Sequence, residues 1–178
     1  ADAGSYVVTV SDDEGCEGVS LAHNVTLNQA TATIVIDNTE ICEGSTATFT
    51  AGGAGGGTYE FYVNGISVQG PNANNIYSST TLVDGDIVSV NIIDDNGCED
   101  DTSIAMTVYP EPSATISLED SEICEGGSTN LVFELTTGVA PWEVTYFVDL
   151  IQYTEINITT PQFIVPVNPL VTTDYELH

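Results

Sequence analysis

The side chains best equipped for chemistry are carboxylates: 27 Asp and Glu occur in 178 residues, with no Lys and no Arg. They crowd at two places. Asp94, Asp95, Glu99, Asp100 and Asp101 surround one Gly-containing turn, and Asp12, Asp13, Glu14 and Glu17 surround another. Hard oxygen donors at such density suit Ca²⁺, and bound ions would relieve their mutual repulsion. These residues are therefore the candidate metal ligands, with calcium as the ion. Neither run spells Asp-x-Asp-x-Asp-Gly, so a solvated acidic turn is the competing reading. Carboxylate pairs also serve glycosidases, but acids this abundant single out no pair. The two histidines, His23 and His178, stand outside any Cys or carboxylate constellation. No Gly-x-Ser-x-Gly elbow occurs and no His is placed to act as a base, so the residues imply no enzyme and no cofactor beyond calcium.

The charge excludes whole classes of partner. Phosphate recognition rests on cationic side chains, which removes nucleic acid. Anionic membrane surfaces are disfavoured for the same reason, and no apolar run approaches the ~18 residues of a membrane span. Lys–carboxylate and Arg–carboxylate salt bridges are unavailable, so self-repulsion should make the fold more stable as ionic strength rises. Trypsin-like proteases find no Lys or Arg to cut after. Hydrophobic content of 42% with eight tyrosines still places the chain among folding sequences.

The elements that must position these residues are repeated. Asp12-Asp13-Glu14-Gly15-Cys16-Glu17 returns as Asp94-Asp95-Asn96-Gly97-Cys98-Glu99, and Glu40-Ile41-Cys42-Glu43-Gly44 as Glu122-Ile123-Cys124-Glu125-Gly126, both 82 residues on. Ala32-Thr33-Ile34 and Ala114-Thr115-Ile116 keep the same offset without a gap. Two separate motifs on one period define a tandem repeat. Residues 1–28 read as the last two strands of one repeat, 29–110 as a complete repeat, and 111–178 as a third that stops before its last strands. On this reading the chain is a stretch cut from a longer protein.

Within 29–110 the pattern is β throughout. Strands are expected at Thr31–Ile36, Ser45–Ala51, Tyr59–Val63, Ile66–Gln69, Ile76–Leu82, Ile87–Ile93 and Ser103–Tyr109. Asn64-Gly65 is a type I′ hairpin signal, Gly70-Pro71 should break its strand, and Gly52–Gly57 is a glycine-rich loop. Seven short strands in about 80 residues predict an all-β fold of tandem immunoglobulin-like antiparallel β-sandwich domains.

The motifs Ile-Cys-Glu-Gly (41–44), Tyr-Glu-Phe-Tyr-Val-Asn-Gly (59–65), Asp-Asp-Asn-Gly-Cys (94–98) and Tyr-Pro-Glu-Pro (109–112) resemble the Ig-like or PKD-like tandem repeats of giant secreted Bacteroidetes cell-surface adhesins, the gliding-motility type among them. That resemblance implies export by the type IX secretion system and an extracellular place on the bacterial cell surface. In the third repeat, Ala140-Pro141-Trp142-Glu143-Val144-Thr145-Tyr146 replaces the glycine-rich loop and aromatic strand, as in a sister subtype.

In an exported protein, cysteine at two fixed places per repeat reads as disulfide. The simplest wiring is an intradomain Cys42–Cys98 bond, contributing roughly 4 kcal/mol by chain entropy, with Cys16 and Cys124 paired outside 1–178. Strand parity objects, because the loop between strands one and two lies at the opposite pole from that between six and seven. In a head-to-tail array Cys42 would instead face the second cysteine of the next repeat. The role expected is a structural stalk or filament segment that spaces and projects an adhesive region, its nearest partners being neighbouring repeats. The alternatives are that the repeats bind surface glycan or a protein, or polymerise with like subunits. Tyr59, Phe61 and Tyr62 could form a glycan platform only if exposed, and strand alternation must turn some of them inward. Trp142 is expected as a core anchor. Asn24-Val25-Thr26 and Asn157-Ile158-Thr159 match glycan sequons but read as incidental strand residues.

Overall fold

The computed structural model describes residues 3–178, and among these every regular element is a β-strand. The chain packs as two compact units. One comprises the stretch up to Asp37, Thr48–Ser78 and Ile87–Ala105; the other comprises Asn38–Ala47, Ser79–Asp86 and Met106–His178. This division by proximity runs across the division by repeat.

The first unit begins with β1 (Gly4–Tyr6), β2 (Thr9–Ser11), β3 (Glu17–Val19) and β4 (His23–Val25). β1 pairs with β4 and β2 with β3, both antiparallel. Between the two ladders Ser20 N donates to Val8 O at 2.8 Å, so the four pieces form one interrupted hairpin. Next come β5 (Thr33–Ile36), β6 (Glu40–Cys42), β7 (Ala47–Gly52), β8 (Thr58–Val63), β9 (Ile66–Asn72), β10 (Ile76–Ser79), β11 (Ile87–Ile93), β12 (Glu99–Ala105) and β13 (Thr107–Tyr109).

Two of the sheets in this region follow from period-2 alternation. Phe49 and Ala51 on β7, Tyr59 and Phe61 on β8, and Val88, Val90 and Ile92 on β11 are buried, while Thr48 and Thr50 point outward. One sheet has the order β5-β7-β10 and the other β9-β8-β11-β12. They meet through Tyr77 of β10, whose ring stacks 6.0 Å from Phe49 and 5.7 Å from Phe61. Each fully buried phenylalanine contributes about 1.5–3 kcal/mol through apolar burial. This is an antiparallel β-sandwich with Greek-key-like strand order, the immunoglobulin-like class that the sequence predicts.

Three local expectations are corrected. β9 continues through Gly70-Pro71 instead of stopping there, because it is an edge strand and Pro71 need donate no ladder hydrogen bond; the ladder to β8 answers with register irregularities. β10 ends at Ser79, short of Leu82. β12 begins at Glu99, so the acids 99–101 belong to a strand and not to the turn before it. The glycine-rich loop has a steric reason. A Cβ on Gly53 would stand 1.9 Å from Thr31 O, and one on Gly57 1.9 Å from Ile93 O, so the loop lies directly on neighbouring backbone. Asn64 and Gly65 both have positive φ, 51° and 78°, as a type I′ turn requires.

In the second unit β6 pairs with β13 in parallel, Ile41 opposite Val108. The chain continues as β14 (Ser113–Leu118), β15 (Thr129–Thr137), β16 (Trp142–Val148), β17 (Ile151–Ile158), β18 (Gln162–Val167) and β19 (Tyr175–Leu177). Their sheets are ordered β14-β15-β18 and β17-β16-β19. The order reproduces β5-β7-β10 and β9-β8-β11, so the same sandwich topology is laid down twice along the chain. Its core is Leu131, Phe133, Leu135, Val144, Tyr146 and Ile158, with Phe133 stacked 4.5 Å from Phe163 and tilted 5.0 Å from Tyr146. Trp142 packs half-buried against this cluster, its indole nitrogen buried without a hydrogen-bond partner. The β16–β17 hairpin turns at Asp149-Leu150, where Asp149 takes φ 53°.

Tyrosines give the fold an alkaline limit. Burial pushes the Tyr146 phenol above its ordinary value near 10.0, with Glu155 adding to the shift. Burial raises Tyr175 likewise, and the Glu40 carboxylate raises Tyr109. A raised phenol means that the folded state holds the proton more tightly than the unfolded one. Its contribution is complete below pH 10 and disappears as pH climbs through the raised values. Denaturation midpoints measured from pH 8 to 11.5 are expected to be level and then fall, with phenolate absorbance lagging that of the urea-unfolded chain.

Candidate functional site: acidic turns and free cysteines

The two acidic turns are one structure used twice. Asp94 N donates to Cys98 O at 2.9 Å and Gly97 N to Asp94 O at 3.0 Å, with Gly97 at φ 80°. Asp12 N donates to Cys16 O at 3.0 Å and Gly15 N to Asp12 O at 3.1 Å, with Gly15 at φ 84°. In each turn the aspartate also reaches forward: Cys98 N donates to Asp94 Oδ1, and Cys16 N to Asp12 Oδ1, both at 2.8 Å. Asn96 N adds a second donor to Asp94 Oδ1 at 2.8 Å, and Asn28 Nδ2 donates to its Oδ2. The carboxyl of Asp94 is accordingly held below its ordinary range, first by the Cys98 amide.

The remaining acids are dispersed. Asp95 accepts from Gly56 N at 3.1 Å and so steadies the glycine-rich loop. Asp100 accepts from Ala32 N at 2.7 Å, tying β12 to the segment before β5. Glu99 and Asp101 flank Asp100 on the same strand and alternation sends them to the opposite face, where both are exposed. Asp13 and Glu14 are exposed in the first turn and Glu17 on β3. Among the described residues no three His, Cys, Asp or Glu side chains gather as a metal cage. The acidic runs are contiguous in sequence, but the turn and the strand after it divide them in space.

Asp94→Ala is expected to lower the denaturation midpoint by removing the acceptor for two backbone amides, whereas Asp94→Asn, which keeps an oxygen there, should lose less. The sign with pH follows from the depressed carboxyl. Its contribution is present above the ordinary aspartate value of 3.8 and is lost as pH falls through the lower folded value. Urea titrations of both variants and the parent at neutral and strongly acidic pH check this, and the three should converge in acid.

All four cysteines carry free thiols in the structure. Cys16, Cys42 and Cys124 are exposed, and Cys98 is half-buried, its Sγ 3.5 Å from the Asn28 carbonyl. Cys42 ends β6 opposite Tyr109, the last residue of β13, whereas Cys98 precedes the first residue of β12. The structure forms no Cys42–Cys98 bond. The suggested aromatic platform is not formed either. Tyr59 and Phe61 are in the core, and Tyr62, on the other face of β8, is half-buried. His23 is exposed on β4, and the His178 ring meets Phe147 edge-on at 5.4 Å. Asn24 is exposed on β4, and Asn157 takes φ 58° in β17.

Two concavities lie in the second unit, and sequence reasoning missed both. One, of ≈ 390 Å³, lies over Glu122, Ile123 and Cys124 and is walled by Leu170, Val171 and Tyr175. The other, of ≈ 250 Å³, opens along β16 between Trp142, Val144, Leu135, Leu177 and His178. A strand count of residues 111–178 against 29–110 is the signal that points to them.

No protein-family model matches the chain, and no curated protein matches it either. Solved structures do resemble it. One is of a 1.5-MDa bacterial ice-binding adhesin, at 19% identity over 91% of this chain and 62% of that one, with a TM-score of 0.36. The N-terminal eight Ig domains of Down Syndrome Cell Adhesion Molecule match at 12% identity over 93% of this chain and 35% of that one, with a TM-score of 0.48. Fibronectin(III)-like modules of Clostridium thermocellum CbhA match at 11% identity over 80% of this chain and 91% of that one, with a TM-score of 0.39. The strand pairing and the double core described above carry the fold assignment by themselves.

Proposed function

We propose that this chain is a spacer segment of a large secreted cell-surface adhesin, each sandwich adding length to a stalk that projects an adhesive region. The observation that supports this most is the reuse of one structural device at a fixed period. The same five-residue turn, with the same amide-to-carboxylate hydrogen bond, stands at Asp12–Cys16 and at Asp94–Cys98. A module repeated down to its turn hydrogen bonds, with Phe49, Tyr59, Phe61, Phe133 and Tyr146 buried in cores, suits length and stiffness better than a unique binding surface. Surface display and export follow from the family resemblance of the cysteine-bearing and aromatic motifs. The acidic surface serves a stalk by keeping neighbouring copies apart in solution. Deleting residues 29–110 in frame from the surface protein that carries them tests the role. Adhesion should persist at shorter reach. Loss of adhesion in proportion to the number of repeats removed would instead place the binding in the repeats themselves.

A further inference from the structure

We propose that the open edge of β17 pairs antiparallel with the same edge of a second copy of this chain, about a two-fold axis at Tyr153. β17 stands at the rim of its sheet, hydrogen-bonded among the described residues to β16 alone. In the complete repeat 29–110 the corresponding strand, β9, is an edge too, so the open side belongs to the topology of the repeat itself. The two edges are finished differently. β9 carries Gly70-Pro71 and its ladder to β8 slips register twice, which are features that blunt a sheet edge. Residues 151–155 of β17 include no Pro or Gly and run in unbroken register against 148–144, the irregularity coming beyond Glu155. Lysine, another common edge guard, does not occur in the chain. The strand is also apolar, with Ile151, Tyr153 and Ile156 63%, 44% and 62% exposed.

Charge identifies the occupant. Between positions 150 and 173 the one acid is Glu155, in a chain that elsewhere carries an acid about every six residues. The acidic surface holds copies apart, and this neutral strip is where two of them approach at least electrostatic cost. A cationic partner would be drawn to the acidic turns instead, whereas a second copy brings a strip equally neutral and equally apolar.

The hairpin fixes the register. Its two-residue turn, Asp149-Leu150, makes Val148 and Ile151 a hydrogen-bonded pair. Ile151, Tyr153 and Glu155 therefore bond to β16, and Gln152 and Thr154 turn their N–H and C=O groups to the open side. Setting Gln152 of one copy opposite Thr154 of the other satisfies both and centres the ladder on Tyr153. Each Glu155 then lies across from Ile151 of the other copy. Moving the axis one residue either way shortens the regular overlap from five residues to three, and moving it to Glu155 sets two carboxylates face to face. Identical surfaces meet, so the contact is isologous and closes at a dimer. With a formal charge of −27 on each copy, association should strengthen with salt.

Sedimentation velocity of the 178-residue chain in high salt, over a wide concentration range, is the test. The parent should show a monomer–dimer equilibrium and no larger species. Ile151→Glu, at an exposed site, places a carboxylate across from Glu155 twice in each dimer. It should weaken association by about tenfold or more, the equivalent of 1.4 kcal/mol. Adding Glu155→Lys to that variant sets opposite charges across the same pairs and should restore the dimer. A parent that is monomeric at every concentration, or that builds an open-ended series of oligomers, would overturn the proposal. So would undiminished association of Ile151→Glu, or a double variant that fails to regain it.

Discussion

Phe133→Ala is expected to cost about 3–5 kcal/mol, the range for emptying a large aromatic site that collapses incompletely. Phe133 is fully buried and touches two rings at once, Phe163 from the neighbouring strand β18 of its own sheet and Tyr146 from β16 of the other sheet. Truncation removes both stacking contacts together with the transfer term. Since whole domains are stable by only ~5–15 kcal/mol, the variant should be partly unfolded at moderate denaturant. Phe61→Ala should behave alike in the other unit, where the ring is fully buried against Tyr77. Phe147→Ala is the control. That ring is half-buried and meets His178 by its edge, so the loss should be markedly smaller. Urea unfolding followed by tyrosine and tryptophan fluorescence separates the cases, and an equal loss at Phe133 and Phe147 would count against the core assigned here.

Salt should act on the whole chain in one direction. With 27 acids and no Lys or Arg, nearly every long-range charge interaction in the folded state is repulsive. Screening shortens its reach from ~30 Å at 0.01 M to a few ångströms near 1 M. We expect the melting temperature to rise by roughly 5–10 °C between low salt and 0.5 M NaCl, equivalent to one or two kcal/mol for domains of this size. Magnesium and calcium at equal ionic strength are expected to act equally if the acids respond as surface charge, and a larger effect of calcium would support bound calcium. A flat salt response would mean that the acids are compensated in some other way.

The fold was legible from particular residues. Val88, Val90 and Ile92 alternate with polar neighbours, and Asn64-Gly65 is a dipeptide that accepts positive φ twice at low cost. The 82-residue period carried the topology from one sandwich to the next. What escaped was set by tertiary context. Whether Pro71 ends a strand depends on whether that strand is at an edge, which no local pattern states. The Asp149-Leu150 turn lacks a glycine signal and is imposed by the pairing of β16 with β17. The acidic run 94–101 reads as a single ligand cluster only while the boundary at Glu99 is unknown. Once β12 starts there, alternation separates Asp100 from its neighbours.

Pulling the chain end to end in a single-molecule force experiment tests most directly the proposal that the 82-residue repeat is a spacer that unfolds as one sandwich. Residues 29–110 should unravel in one discrete event, adding about 270 Å or more of contour at ~3.3–3.6 Å per residue, before the folded length is subtracted. The same event under oxidising conditions reports on Cys42 and Cys98, since a bond between them would hide 56 residues and shorten the step by about 180 Å. A discrete full-length step under both conditions is the result expected of a spacer module with free thiols. Featureless extension without a step of that size would contradict it.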